Sequence, residues 1–295
     1  LASVIEDAPL RVRTSKGPWE PANYDGAFRG PVTFRQAMEQ SLNVPFARIG
    51  LAVGPQRIVA TARKLGIQSP LAAVPSLALG SSEVTLLELV RAYGVLAAAG
   101  RLADTRVVLG HARYGEAVAI QDPVEPTQAV NPAVTYLVTS SLEGVVQRGT
   151  GRALNESGRW EGIAGKTGTS NDWRDAWFVA YSPALVVGVW VGFDDGQSLK
   201  LTGAGAALPI VASFFDQMND AVGREPFEVP EGISEGYVQL ARGASGGECG
   251  AREVFLEGTE PADEGCGWQA GPQWETVRDW GQELERRARR YLEGI

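Results

Sequence analysis

The chain has 295 residues, 44% hydrophobic and 21% charged, ordinary proportions for a globular protein with a sizeable core. Its formal net charge of −8 argues against general affinity for nucleic acid or anionic lipid. With one histidine and two cysteines there is no cluster able to hold zinc, so neither a metal nor a cofactor is expected.

In chain order, residues 1–32 carry a short extended run, Ala8-Pro9-Leu10-Arg11-Val12, and then a loop rich in Gly, Pro and Asn. Thr33 to about Gln40 reads as a short helix that ends at a Ser41-Leu42-Asn43 turn. Pro45 suits the first turn of a second helix, Phe46 to Val53, closed by Gly54. Pro55 opens a third, with Ile58, Val59, Ala62 and Leu65 on one face and Gly66 as its stop. Thr85-Leu86-Leu87-Glu88 is a capping box that heads a helix running to Ala99-Gly100. His111 lies in Gly110-His111-Ala112-Arg113, between elements, and reads as solvated surface; a Ser–His–Asp triad would depend on it alone. Asn131-Pro132 caps a further helix, apolar at Val134, Leu137, Val138, Leu142 and Val145.

After Gly151 the apolar period falls to two. Gly162–Thr169, Asp175–Tyr181 and Ala184–Phe193 read as three successive strands, the last two a hairpin. Residues 176–193 look superficially like a membrane span, but Tyr181-Ser182-Pro183, Gly188 and Gly192 interrupt it, and strand–turn–strand fits better. Leu208 to Met218 returns to helix and could cover the sheet. The expected class is therefore α+β, a helical segment followed by an antiparallel sheet covered by helices. Domain limits are expected at 1–220 and 221–295. The second part is acidic and Pro/Gly-rich, and ends in an amphipathic helix around Trp280, Leu284, Ala288 and Tyr291. Its Cys249 and Cys266 suggest a disulfide in an exported protein, with two free thiols as the alternative. On the chain-entropy account such a bridge would stabilise by about 3 kcal/mol.

The segment Lys166-Thr167-Gly168-Thr169-Ser170 can present an ammonium, hydroxyls and a backbone N–H from one strand edge, and its glycine permits close approach. Gly165-Lys166-Thr167 also ends like a phosphate-binding loop. That motif needs a glycine where Trp160 stands and a helix from the lysine, whereas Gly168 and Ser170-Asn171-Asp172 read as strand end and turn. Ser41-Leu42-Asn43 lies 125 positions before Lys166. A Ser-x-Asn element followed by Lys-Thr-Gly matches, in order, part of the catalytic set of penicillin-binding proteins and serine β-lactamases.

The flanks carry the resemblance further. Trp19-Glu20-Pro21-Ala22-Asn23-Tyr24, Gly30-Pro31-Val32-Thr33, Leu77-Ala78-Leu79-Gly80-Ser81, Gln147-Arg148-Gly149-Thr150-Gly151 and Asp175-Ala176-Trp177-Phe178 resemble the transpeptidase domain of class A, bifunctional penicillin-binding proteins over roughly residues 1 to 220. The resemblance implies a serine D,D-transpeptidase that expels D-alanine from D-Ala-D-Ala stem peptides and passes the acyl group to an amine. It implies that Lys166 supplies positive charge for the substrate or β-lactam carboxylate, and that Thr167 and Thr169 offer it hydroxyls. The Gly168–Thr169 edge would place the Thr169 N–H as an oxyanion donor. Ser41 would relay a proton, and Asn43 would hold the substrate amide. The loop Gln147–Gly151 would stand close to the site in an undefined role, and Trp177 and Phe178 would pack in core and hairpin. Read singly, Ser41 and Asn43 are also ordinary helix-end residues, and Lys166 an ordinary edge-strand guard.

One piece of the pattern is missing: no serine in the chain has a lysine three positions later. In the family, Ser-x-x-Lys supplies the acylated serine, a few tens of residues before Ser-x-Asn, which falls upstream of Leu1. The expectation is a C-terminal fragment, incomplete at its N-terminus, inactive alone and prone to aggregate through an unpaired strand edge. Its parent would also carry a glycosyltransferase domain and a membrane anchor, at the outer face of the bacterial inner membrane. Its partners would be stem peptide or lipid-linked precursor and β-lactams. Two other classes compete: a non-catalytic binding module or pseudoenzyme, and a related carboxypeptidase or β-lactamase.

Overall fold

A computed structural model describes residues 1–15, 17–108, 110–113, 116–118, 124–218, 225–238 and 251–260. Strand β1 (Val4–Asp7) pairs antiparallel with β4 (Gly30–Thr33), Val4 opposite Thr33 and Asp7 opposite Gly30. Between them β2 (Val12–Thr14) and β3 (Gly17–Trp19) make a small hairpin. The extended run expected at Ala8–Val12 is thus mostly a connection, because Pro9 has no N–H to offer a ladder.

Three helices follow: α1 (Phe34–Glu39), α2 (Asn43–Val53) and α3 (Pro55–Lys64). Thr33 caps α1 through a reciprocal box with Gln36. Helix α2 starts at Asn43, so the Ser-x-Asn element runs into its first turn. A 3₁₀ turn, Pro75–Leu79, leads to α4 (Leu86–Ala97), whose expected capping box forms between Thr85 and Glu88. Glu88 also accepts from the Gln68 and Ser69 N–H groups and the Ser69 hydroxyl, contacts that hold its carboxyl down to about 2. Short strands β5 (Arg101–Leu102) and β8 (Thr127–Gln128) pair, as do β6 (His111–Arg113) and β7 (Glu116–Val118). The surroundings of the His111 side chain lie outside the described residues.

Helix α5 (Pro132–Gln147) is capped by Asn131, whose side chain accepts from Ala133 and Val134 N–H. Then come β9 (Ala164–Thr169), β10 (Asp175–Tyr181) and β11 (Val186–Gly192), an antiparallel sheet ordered β11-β10-β9. Helix α6 (Gly203–Gln217) starts five residues before the expected Leu208. The glycine- and alanine-rich stretch and Pro209 hide that start in the sequence. Thr202 nevertheless caps it by accepting from the Gly205 N–H. The last described pair is β12 (Ile233–Val238) with β13 (Ala251–Leu256), strands that the sequence reading of the tail did not contain.

The core lies on both faces of the sheet. On one, Ala207, Leu208, Val211 and Phe215 of α6 pack on Phe178 and Ala180, and Trp160 meets Phe215 edge-on at 5.6 Å. On the other, Leu142 and Val145 of α5 enclose Ala164 and Tyr181, joined by Met38 and Tyr93. Full burial of a side chain such as Phe178 stabilises by about 2 kcal/mol. Tyr181 is wholly buried, and its hydroxyl is satisfied by Thr139 at 3.0 Å. Residues beyond 225 join this body: Phe227 packs on Tyr181 at 5.5 Å, and Val238 and Phe255 bury Ala2. Cys249, Cys266 and the segment around Trp280–Tyr291 lie outside the described residues.

Candidate active site

The site begins with how α1 stops. The Leu42 N–H donates to Ala37 O and the Ser41 N–H to Met38 O, the paired bonds of a Schellman ending. Leu42, 2% exposed, packs with Ala37 and Val32 and completes that ending. Such endings favour glycine at the left-handed residue, yet Ser41 occupies it at φ 54°. The strained backbone turns the Ser41 hydroxyl out of both helices.

The start of α2 is fixed from the N-terminal strands. Asn23 Oδ1 accepts from the Val44 N–H at 3.2 Å, and Asn23 Nδ2 donates to both carboxylate oxygens of Asp7 at 2.9 Å. Asp7, fully buried, also accepts from the Arg29 N–H. Asn43 Nδ2 donates to Ala22 O at 2.8 Å, tying α2 to the loop that carries Tyr24.

Opposite stands β9, whose only strand partner among the described residues is β10, with Lys166 opposite Val179 and Gly168 opposite Trp177. Lys166 Nζ donates to Ser41 Oγ at 2.7 Å and to Thr167 O at 3.0 Å. The two sequence motifs therefore meet directly. Burial pushes the Lys166 ammonium down to about 8, so it is largely charged at neutral pH. Thr167 and Thr150 share a hydroxyl contact of 2.8 Å. Thr169 Oγ1 accepts from the Gly203 N–H at 3.0 Å, so its hydroxyl is engaged by the first residue of α6. A Cβ at Gly203 would come within 2.3 Å of Trp177 O and 2.4 Å of Gly168 O, so only glycine lets α6 sit this close behind β9. Trp177 packs against Trp190, ring centroids 6.2 Å apart and planes tilted by 49°, and Phe178 lies in the core.

The loop Gln147–Gly151 is tied to α1. Thr150 N–H donates to Glu39 O at 3.0 Å, and Arg148 pairs with the Glu39 carboxylate at 2.5 Å. Gly149 permits this, since a Cβ there would meet Glu39 O at 2.3 Å. Among the predicted residues, Ser41 and Lys166 come together. Thr167 joins them through the backbone and through Thr150, while Asn43 and Thr169 are held by other partners.

Sequence reasoning missed Glu39, Asp7 and Trp173, and gave Arg148 and Tyr24 no role although both lie in segments it singled out. Tyr24 and Trp173 are exposed, and Trp173 Nε1 donates to the Tyr24 hydroxyl at 3.2 Å, joining the loop beside Asn43 to the one after Thr169. Asp172 and Trp173 both have left-handed backbones, φ 59° and 52°. Asp7 and Glu39 act through residues distant in sequence and left no local signal; Thr150 had one, in a segment whose role was undefined.

A part-buried lysine that donates to a serine hydroxyl beside a strand edge suits an anionic ligand. Residues 2–216 match the family described as the Penicillin binding protein transpeptidase domain. Penicillin-binding protein 1B of Vibrio cholerae serotype O1 is 36% identical over 252 residues, which cover 84% of this chain and 32% of that protein. Penicillin-binding protein 1A of Rickettsia bellii is 36% identical over 272 residues, covering 81% of this chain and 34% of the relative. The chain thus spans about a third of the length of these curated relatives. The crystal structure of penicillin-binding protein 1A from Haemophilus influenzae superposes with a TM-score of 0.78 at 23% identity, over 88% of this chain and 45% of that one. A structure of penicillin-binding protein A from Mycobacterium tuberculosis, an imipenem acyl-enzyme complex, gives 0.59 at 22% identity, over 75% and 56%. Because the family match takes in both motifs and nearly all of the described fold, the chain belongs to the penicillin-binding protein transpeptidase family.

Proposed function

We propose that this chain is the proton-relay and carboxylate-binding part of a serine D,D-transpeptidase in a bifunctional cell-wall synthase. The observation that carries the reading is the 2.7 Å hydrogen bond from Lys166 to Ser41, which joins two motifs 125 residues apart. In this reading a serine of a Ser-x-x-Lys segment, outside these residues, attacks the penultimate D-Ala carbonyl. The peptide C–N bond breaks, and the leaving D-alanine amine takes a proton through Ser41. An acceptor amine then attacks the ester and frees the serine. Lys166 and Thr167 hold the terminal carboxylate, Asn43 the substrate amide, and the Thr169 N–H the oxyanion. The same carboxylate site takes a β-lactam. The parent works at the outer face of the inner membrane; among the described residues no helix is long and apolar enough to cross a membrane.

A second reading, a non-catalytic module that keeps the carboxylate cleft for recognition, is favoured by one observation: none of the chain's serines has a lysine three residues on. Sequencing the codons upstream of Leu1 and labelling the extended protein with a fluorescent penicillin separates the two. The transpeptidase reading expects Ser-x-x-Lys within a few tens of codons, a covalent adduct on that serine, and none on this chain alone. Ser41→Ala in the extended protein should slow acylation by about 100-fold or more. A frame without that serine, together with reversible binding of a D-Ala-D-Ala peptide, would replace this reading by the module.

A further inference from the structure

The β12–β13 hairpin lies beyond residues 2–216, the stretch matched by the transpeptidase family. It nonetheless reaches the helix that delivers Ser41. Arg35 of α1 makes a bidentate contact with Glu253 of β13, Nε to Oε2 at 2.7 Å and Nη2 to Oε1 at 2.5 Å. The same guanidinium donates to Ser140 O at 2.8 Å and Ser140 Oγ at 3.0 Å on α5. The Arg35 side chain is 16% exposed and that of Glu253 5%, so the pair is shielded from solvent. Bidentate geometry fixes an arginine in orientation as well as position.

Helix α1 has only six residues, and its far end has further anchors. Glu39 anchors it through Arg148 and the Thr150 N–H, and Thr150 in turn touches Thr167 beside Lys166. Ser41 follows two residues later, in a left-handed conformation that the helix ending imposes. Near Arg35, burial pushes the Glu143 carboxyl up to about 7, with the arginine partly offsetting it. Glu39 lies 4.0 Å from the same guanidinium, beyond hydrogen-bond reach, so Glu253 is the carboxylate that Arg35 meets in hydrogen-bonding geometry.

We propose that the β12–β13 hairpin is a positioning element of the active site, with Glu253 holding Arg35 so that α1 sets Ser41 against Lys166. Glu253 and Arg35 are positioning residues in this scheme, since neither touches the substrate. The inference rests on the reading of Ser41 and Lys166 as the relay pair. It adds that residues outside the family's matched stretch tune that pair, so anything that pulls on the hairpin acts on the proton relay.

The chain has four lysines, Lys16, Lys64, Lys166 and Lys200, so each can be titrated separately. Competitive acetylation of the dilute chain across pH, read by mass spectrometry, gives each a midpoint. Ser41→Ala is expected to move the Lys166 midpoint, which verifies the relay contact itself; no movement there would sink the relay reading rather than the hairpin. Glu253→Gln should then move Lys166 in the same direction by at least half as much, with the other three lysines fixed. Glu235→Gln, which breaks the exposed Glu235–Arg252 pair on the same hairpin, should leave Lys166 unmoved. An unmoved Lys166 in a folded Glu253→Gln, or an equal movement in Glu235→Gln, overturns the proposal. If Glu253→Gln fails to fold, all four lysines approach about 10.4. Arg35→Lys then decides, because it keeps the charge but loses the bidentate grip: a moved Lys166 supports the proposal and an unmoved one overturns it.

Discussion

The two outer strands of the central sheet share one pairing partner, β10, yet they are built for different purposes. The β9 edge has Lys166, Thr167, Gly168 and Thr169, and its side chains are tied to Ser41, Thr150 and the first amide of α6. The β11 edge reads Val186-Val187-Gly188-Val189-Trp190-Val191-Gly192, with no strand beyond it among the described residues. One edge guards itself with a charge and close loops, as binding edges do. The other offers an apolar ladder of the kind that pairs with a further strand. An edge strand thus reveals its task by which of its polar groups already have partners.

The sharpest way to break the β9 edge is from behind. Gly203→Ala puts a methyl within 2.4 Å of two backbone oxygens that cannot rotate away. We expect a loss of about 3 kcal/mol in urea unfolding. As a control, Gly196→Ala meets nothing within 4 Å and strains only its φ of +71°; its cost should be about 1 kcal/mol. Equal costs would mean that α6 does not rest on β9 as described.

A second test concerns the charge that β9 holds. Lys166 titrates near 8 in the fold against an ordinary value of 10.5, so between those pH values the unfolded chain binds more protons. Stability should therefore rise with pH across that window, and the burden of the buried charge is fully present below about 8. Lys166→Met removes that burden and should stabilise the chain at pH 7 by about 2 kcal/mol, while flattening the alkaline slope. Binding of a substrate carboxylate should run the opposite way, weakening as pH rises through about 8 and the ammonium is lost. A destabilised Lys166→Met would show that the Ser41 and Thr167 contacts outweigh the desolvation.

The β11 edge has its own probe. Trp190 packs at a tilt against Trp177 and donates to Asp175 Oδ1 at 2.9 Å, and it is 36% exposed. Trp190→Lys forfeits that ring contact, about 1 kcal/mol, but sets a charge on an open ladder. Sedimentation should show less self-association than in the parent chain. Unchanged association would place the sticky surface elsewhere, the exposed Ile210, Phe214 and Met218 of α6 being the next place to look.

These contrasts also mark what could be read in advance. The Thr85–Glu88 capping box, the proline-led helices and the three alternating strands lie within single turns or ladders, so local pattern reports them. Ser41 and Lys166 were legible as motif members, but their direct contact was not, because it joins positions 125 residues apart. Glu39, Asp7 and Glu253 were not legible, because each works through polar contacts with residues distant in sequence. The start of α6 was hidden for another reason: its opening glycines are poor helix formers, retained because Gly203 must touch the sheet.

Ser41 is where site and fold disagree most openly. A left-handed serine costs about 1 kcal/mol relative to glycine, and the Schellman ending it occupies would accept glycine readily. Ser41→Ala keeps the strain and loses the contact with Lys166, whereas Ser41→Gly loses the contact and relieves the strain. The greater freedom of glycine in the unfolded chain gives back part of that relief. Ser41→Gly should therefore be the more stable of the two by somewhat under about 1 kcal/mol, and both should show the same altered Lys166 titration. If alanine proves as stable as glycine, the left-handed turn carries no strain, and the serine is there for its hydroxyl at no cost to the fold.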